Sequence, residues 1–246
     1  MDESDIDALE RATLAAVPPT ELVALDGWLV ALDAGTVGRA HSAVPTRHVG
    51  VRHDLLPGIE GAYETRRLRP SFRVPRVPGS GPLQHALRDA GYTPRQPTLT
   101  LVGSVDAFAP RDPGHDVATA ARPGAGWADV FLGSGFDPVD GASRVAILQR
   151  GRDTVFASVQ WQGRIAAVGT ACFSHGWCGI HGMRTAPDAR GHGLASAILA
   201  TFGAMARQRG LTRVFLQVEV ANATARSVYE RAGLRTAWCS EYWRRG

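Results

Sequence analysis

The segment Arg190-Gly191-His192-Gly193-Leu194-Ala195 constrains this chain more than any other stretch. It stands between a β-rich run at 177–185 (WCGIHGMRT) and a stretch at 192–209 in which Leu194, Ile198, Leu199, Phe202 and Met205 fall at helical spacing. A strand must therefore feed through a tight turn into an amphipathic helix. Glycines at 191 and 193 let the backbone turn and approach a ligand without side-chain obstruction. The first turn of a helix leaves N–H groups without intrahelical partners, and the helix dipole adds positive potential there, so the position suits a diphosphate. A plain glycine-rich turn is the competing reading. The loop lacks the Gly-Lys-Ser/Thr ending of a triphosphate loop and the three glycines of a dinucleotide fingerprint.

Around this loop the pattern alternates. Residues 154–160 and 164–173 are β-rich runs flanking Gln162-Gly163, a hairpin signal. Residues 213–220 and 235–243 read as further strands, and 223–232 as a helix ending at Gly233. That order predicts an α/β (mixed α+β) domain on a mixed sheet. Upstream, residues 1–19 read as an amphipathic helix, 22–32 as strand with a turn at Asp26-Gly27, 82–90 as a helix and 98–105 as a strand. The Pro/Gly/Asp-rich stretch 109–116 is the best linker candidate within a boundary zone of about 106 to 120, which gives an N-terminal lobe at 1–108 and a C-terminal domain at 109–246. Residues 85–101 also echo 229–243: a helix, Ala-Gly, then a strand. Either the chain holds two related lobes, or Ala-Gly after a helix recurs by chance.

Composition excludes several classes. With 44% hydrophobic residues and no long apolar run, the chain reads as globular, with no membrane partner. The acidic start is unlike a signal peptide, which makes a cytoplasmic protein the expectation. Three cysteines without a Cys-x-x-Cys pair predict neither a disulfide framework nor a metal site. The net charge is +4 and arginine supplies every Lys+Arg position. These arginines are dispersed, so nucleic acid is not an expected partner.

Two motifs in the right order carry a family resemblance. MRTAPDARGHGLASAIL resembles the central motif of GNAT-superfamily N-acetyltransferases, with Pro187 three residues before Arg190. VEVANATARSVYERAGL resembles their second signature through Asn222, Ala225, Tyr229 and Gly233, with Leu234 in place of the usual Phe. The match covers about 125–246. The stretch GWLVALDAGTVGRAHSAVP is more distantly similar to the first lobe of two-lobed bacterial members, which implies a smaller, degenerate GNAT-like lobe before the catalytic one.

The resemblance implies transfer of an acetyl group from acetyl-CoA to a primary amine of a small molecule, an amino acid among the candidates. A protein or peptide N-terminus, or a non-catalytic acyl-CoA-binding module, are the alternatives. It assigns the cofactor to Arg190, Gly191, His192, Gly193, Leu194 and Ala195, to backbone at Met183, Arg184 and Thr185, and to Asn222, Ala225 and Tyr229. Tyr229 is the implied general acid. For the base, His181 and Glu219 compete. Strand alternation is expected to place His181 on the face of Met183 and Thr185, and Glu219 ends the strand before Asn222. Asn222 is equally a natural helix N-cap. Trp127, Phe131, Phe136, Trp161 and Trp177 line an acceptor pocket or pack the core. A second copy of the chain is a further candidate partner.

Overall fold

The computed structural model describes residues 1–108, 114–133 and 137–246. Helix α1 (Glu3–Ala16) leads to β1 (Glu21–Leu25), β2 (Trp28–Leu32), β3 (Ala43–Pro45), α2 (Leu56–Glu64), β4 (Ser71–Pro75), α3 (Gly81–Asp89) and β5 (Thr93–Ser104). The chain continues through β6 (Val117–Ala120), α4 (Ala125–Leu132), α5 (Pro138–Leu148), β7 (Thr154–Trp161), β8 (Arg164–Ser174) and β9 (Trp177–Thr185). It closes with α6 (Leu194–Gln208), β10 (Arg213–Glu219), α7 (Ala223–Arg231) and β11 (Arg235–Arg244). Both expected hairpins form, with Gly27 at φ +79° and Gln162-Gly163 at φ +49° and +79°. Two positive φ values in a two-residue loop match the twist of the flanking strands. No helix among the described residues is long and apolar enough to cross a membrane.

The strands form one mixed sheet in the order β1-β2-β3-β4-β11-β5-β10-β9-β8-β7-β6, parallel only at β3/β4 and β10/β9. The two strands of the sequence echo, β5 and β11, are antiparallel neighbours, each preceded by a helix and a left-handed glycine, Gly91 or Gly233. Strand β11 inserts between β4 and β5, so Trp243 joins a buried cluster with Trp28, Phe72, Leu83, Leu87 and Tyr92. Leu101 of β5 packs with Ile198, Phe202 and Val214 on the other side. A cut at 108/109 therefore runs through a sheet in which each half completes the core of the other.

Three elements depart from sequence expectation. Strand β5 begins at Thr93, ahead of Pro94 and Pro97, because that end pairs only with β11 and β10 joins from Thr98 onward. A residue without an N–H is tolerated where one edge is unpaired. Helices α4 and α5 occupy a stretch for which the sequence pattern predicts no element. Asp137 caps α5 by accepting from the Asp140 N–H at 2.7 Å, and Pro138 opens it, where its missing donor costs nothing. Of the linker stretch, 109–113 lies outside the described residues.

Helices α6 and α7 cover one face of the C-terminal half, where Val214, Leu216 and Val218 point. Helix α1 covers the opposite face through Ile6, Leu9 and Ala12 against Phe215 and Trp177. Helices α4 and α5 extend that second layer, with Phe131 and Leu148 packed on Phe156 and Val168.

Candidate functional site

Strands β9 and β10 are paired at Cys178/Val214, Gly179/Phe215 and Ile180/Leu216, and their pairing stops there. Strand β9 stays on β8 as far as Thr185, so its other edge leaves the ladder with β10 after Ile180. A β-bulge accompanies the divergence. Val168 faces Arg184 and Thr170 faces His181, which leaves Gly182 and Met183 opposite Gly169 alone. Gly182 has φ +59°, and a Cβ there would approach Leu148 Cδ1 to 2.9 Å. Glycine meets both demands without strain. The result is a wedge-shaped gap that opens beyond His181 on one strand and Gln217 on the other.

The bulge corrects one sequence expectation. Regular alternation would place His181 on the face of Met183 and Thr185. The extra residue in β9 reverses the phase. The His181 ring meets Phe215 at a centroid distance of 5.7 Å on the α1 side. The Met183 sulfur lies instead against Gly169 beside Ile198 and Phe202, on the α6 side.

The glycine loop lies at the head of α6. Gly191 has φ +81° and nothing within 4 Å of where a Cβ would stand. Gly193, at φ +80°, is the N-cap residue and offers no side-chain cap to the helix. The first-turn N–H groups from Leu194 onward are thus available at an exposed helix start, while Leu194 itself is buried and anchors the turn. The His192 ring stacks on Trp161 at 4.4 Å, and His115 Nε2 donates to the His192 carbonyl at 2.7 Å. These contacts hold the loop from the outside. Arg190 is exposed and Ala195 half-buried.

Helix α7 presents Tyr229 to the same layer. The phenol is buried in the cluster that includes Ile198 and Val218, and burial pushes its pKa up to about 12. It therefore keeps its proton through neutral pH. Asn222 caps α7 by accepting from the Ala225 N–H at 3.1 Å. Glu219 sits at the open end of β10, exposed, and accepts from Gln96 Nε2 at 2.8 Å. Strand alternation puts it on the face of Phe215 and Gln217.

His181 is 3% exposed. Its Nδ1 lies 3.1 Å from Arg39 Nη1, and a guanidinium only donates, so Nδ1 is the unprotonated nitrogen. Nε2 is buried beside Gly179 and Phe215 with no hydrogen-bond partner among the described residues. Burial first, and the Arg39 charge second, hold the imidazole well below its usual pKa. The folded protein keeps His181 neutral, whereas the unfolded chain takes up a proton near pH 6.5. Stability is then fully present above that pH and falls as pH drops below it, by up to about 1.4 kcal/mol per pH unit. Denaturant titrations between pH 7 and 5 are expected to show this fall, and a smaller one in His181→Gln. His41 and His48, lowered mainly by burial, contribute with the same sign.

The aromatic candidates separate. Trp127 and Phe131 are core, and Trp127 Nε1 donates to the Ala157 carbonyl at 2.9 Å. Trp177 packs under α1 at the paired end of β9. Trp161 supports the glycine loop, and Phe136 lies outside the described residues.

Residues 3–243 match the protein family described as "Probable histone acetyltransferase Rv0428c C-terminal". The chain belongs to that family. It is a GNAT-superfamily N-acetyltransferase by relatives and fold alike. An "Uncharacterized N-acetyltransferase YobR" of Bacillus subtilis is 24% identical over 93% of this chain and 94% of its own length. A GCN5-related N-acetyltransferase from Kribbella flavida shares the fold with a TM-score of 0.70 at 17% identity, covering 98% of this chain and 95% of its own. A tandem GNAT protein from the clavulanic acid biosynthesis pathway, solved without AcCoA, superposes with a TM-score of 0.60 at 12% identity over 99% and 96% of the two chains. Three charged residues near the gap were not singled out by sequence reasoning: Arg39, Asp140 and Arg144. Arg39 meets His181 from 142 positions away in the chain, a pairing no local pattern signals.

Loop geometry yields a test. Gly191→Val forces a β-branched residue to a left-handed φ at the turn before α6. We expect at least a tenfold weaker CoA affinity by calorimetry, and a thermal midpoint lowered by the left-handed φ alone, worth about 1–2 kcal/mol, since no neighbour stands within 4 Å to add a clash.

Proposed function

We propose that this chain transfers an acetyl group from acetyl-CoA to a primary amine of a small molecule. The observation that carries the reading is the uncapped start of α6 behind Gly191 and Gly193, on the layer that also holds Tyr229. A diphosphate fits there: donors are free, a Cβ is absent, and the helix end is positive. Bound there, acetyl-CoA supplies a thioester whose acyl group an amine accepts. A groove between α6 and α7, lined by Ser196, Ala200, Val228 and Arg231, offers a path for the rest of the cofactor. Backbone at Met183, Arg184 and Thr185, on the strand edge that leaves β10, is the candidate for orienting the acyl carbonyl. A cytoplasmic site of action is part of this reading.

Tyr229 carries the proton for the departing thiol. For the amine, Glu219 is the better acceptor of a proton, through water, because it stands exposed at the mouth of the gap. His181 has Nδ1 committed to Arg39 and Nε2 turned toward Gly179. The pH–rate profile distinguishes them. We expect the acidic limb to survive in His181→Ala and to disappear in Glu219→Gln; loss in the histidine variant alone would restore it as the base.

A protein acceptor is the second reading, favoured by the description of the family. Calorimetry with CoA and acetyl-CoA, followed by a mass-spectrometric screen of small amines against histone-tail and N-terminal peptides, decides between them. Acetyl-CoA binding with no transfer to any amine would make the chain a binding module.

A further inference from the structure

The face of β9 opposite α6 gathers three guanidiniums, those of Arg39, Arg144 and Arg184. Asp140 accepts from Arg144 Nε at 2.7 Å and lies 3.6 Å from Arg184, so one carboxylate serves two guanidiniums. Arg184 rests on the Phe131 ring at 4.6 Å. Arg39 reaches His181 Nδ1 and has no ion pair among the described residues. The neighbouring carboxylate, Glu10, is taken by Arg73 in a two-point pair. Burial, partly offset by the Tyr242 phenol and reinforced by Arg144 and Arg73, lowers the Arg39 pKa to about 10, which leaves it charged at neutral pH. A half-buried guanidinium with a planar fork of donors and no paired carboxylate among the described residues suits an anionic ligand group.

A second, independent observation stands across the gap. Gln217 is the first residue of β10 beyond the pairing with β9, and alternation aims it to the same side as Phe215 and His181. Its Oε1 is buried with no hydrogen-bond donor among the described residues. A buried acceptor without a donor costs about 1–3 kcal/mol, which a ligand N–H removes.

We propose that the acceptor is an amine that also carries a carboxylate, with Arg39 binding the carboxylate and Gln217 Oε1 taking an N–H of the amine. His181 is then a positioning residue: its Nδ1 fixes the guanidinium and itself touches no reacting atom. A lysine-rich peptide is disfavoured by the same field, since its charge has the sign of Arg39, Arg144 and Arg184. The inference rests on the acetyl-transfer reading and narrows its substrate class.

The test compares the standard L-α-amino acids with their α-carboxamides and with a lysine-rich peptide. Initial rates with acetyl-CoA are measured for the parent, Arg39→Gln, Arg39→Lys and His181→Gln. The parent should use at least one amino acid tenfold or more better in kcat/KM than its carboxamide. Arg39→Gln should shrink that ratio at least tenfold, and Arg39→Lys should recover part of it. His181→Gln should raise KM for the acid with kcat little changed. Calorimetry of CoA-saturated protein with the same pairs reads recognition without turnover, and carboxylate-dependent heat lost in Arg39→Gln supports the proposal. Equal use and equal binding of acid and carboxamide overturns it. So does preference for the lysine-rich peptide, or an acid preference intact in an Arg39→Gln protein of parental thermal midpoint. No heat with CoA itself sinks the acetyl-transfer reading and this inference together, whereas CoA binding without carboxylate dependence sinks this inference alone.

Discussion

Tyr229→Phe is expected to lower turnover by tenfold or more while leaving CoA affinity nearly intact. The phenol is buried in the layer it shares with α6, and burial alone pushes its pKa up to about 12. Such a group donates a proton at neutral pH and does not serve as a base. General acid catalysis typically contributes about 10²–10⁴-fold, and removal of one oxygen atom leaves the packing of the ring in place. Single-turnover rates and calorimetry on the same preparation separate the two effects. Unchanged turnover would reduce Tyr229 to a core residue of α7, and a parallel loss of affinity would make it a cofactor contact.

The largest expected effect on stability comes from the buried ion pair between α1 and β4. Arg73 donates to both oxygens of Glu10, at 3.0 and 2.5 Å, and the two side chains are 1% and 2% exposed. Removing one partner strands a charge in the interior, which typically costs about 3–5 kcal/mol. Arg73→Met should therefore lower the unfolding free energy by that order, read by urea denaturation. Replacing both residues with methionine should recover most of the loss, because desolvation of the pair offsets much of its attraction. The effect should also reach activity. Helix α1 packs Leu9 and Ile6 on Phe215, directly behind His181, so loosening it disturbs the floor of the gap. A double variant as unstable as the single one would show that the pair contributes net stability.

Much of the C-terminal half was legible from residues close together in the chain. The Gly191/Gly193 turn, the amphipathic α6 and the capping Asn222 depend on backbone conformation and helical spacing, and both are local properties. They recur in the structure within two residues of expectation. The hairpins followed for the same reason: Asp26-Gly27 and Gln162-Gly163 contain their own turn chemistry. Helices α4 and α5 were not legible, since they are short and their glycines and prolines act as caps only once the sheet beneath them exists.

What the residues alone determined is the glycine turn at the head of an amphipathic helix, and the superfamily that this turn marks. Tertiary structure decided the rest. A single additional residue in β9, visible only when β8 supplies the register, turned His181 to the other face. The insertion of β11 beside β4 joined two halves that read as separate lobes, and a residue from the first lobe became the partner of His181. Local sequence sets dihedrals and periodicity over a few residues. Strand register, exchange and long-range charge pairing are decided by burial of surfaces distant in the chain, and no window of sequence contains both sides of those contacts.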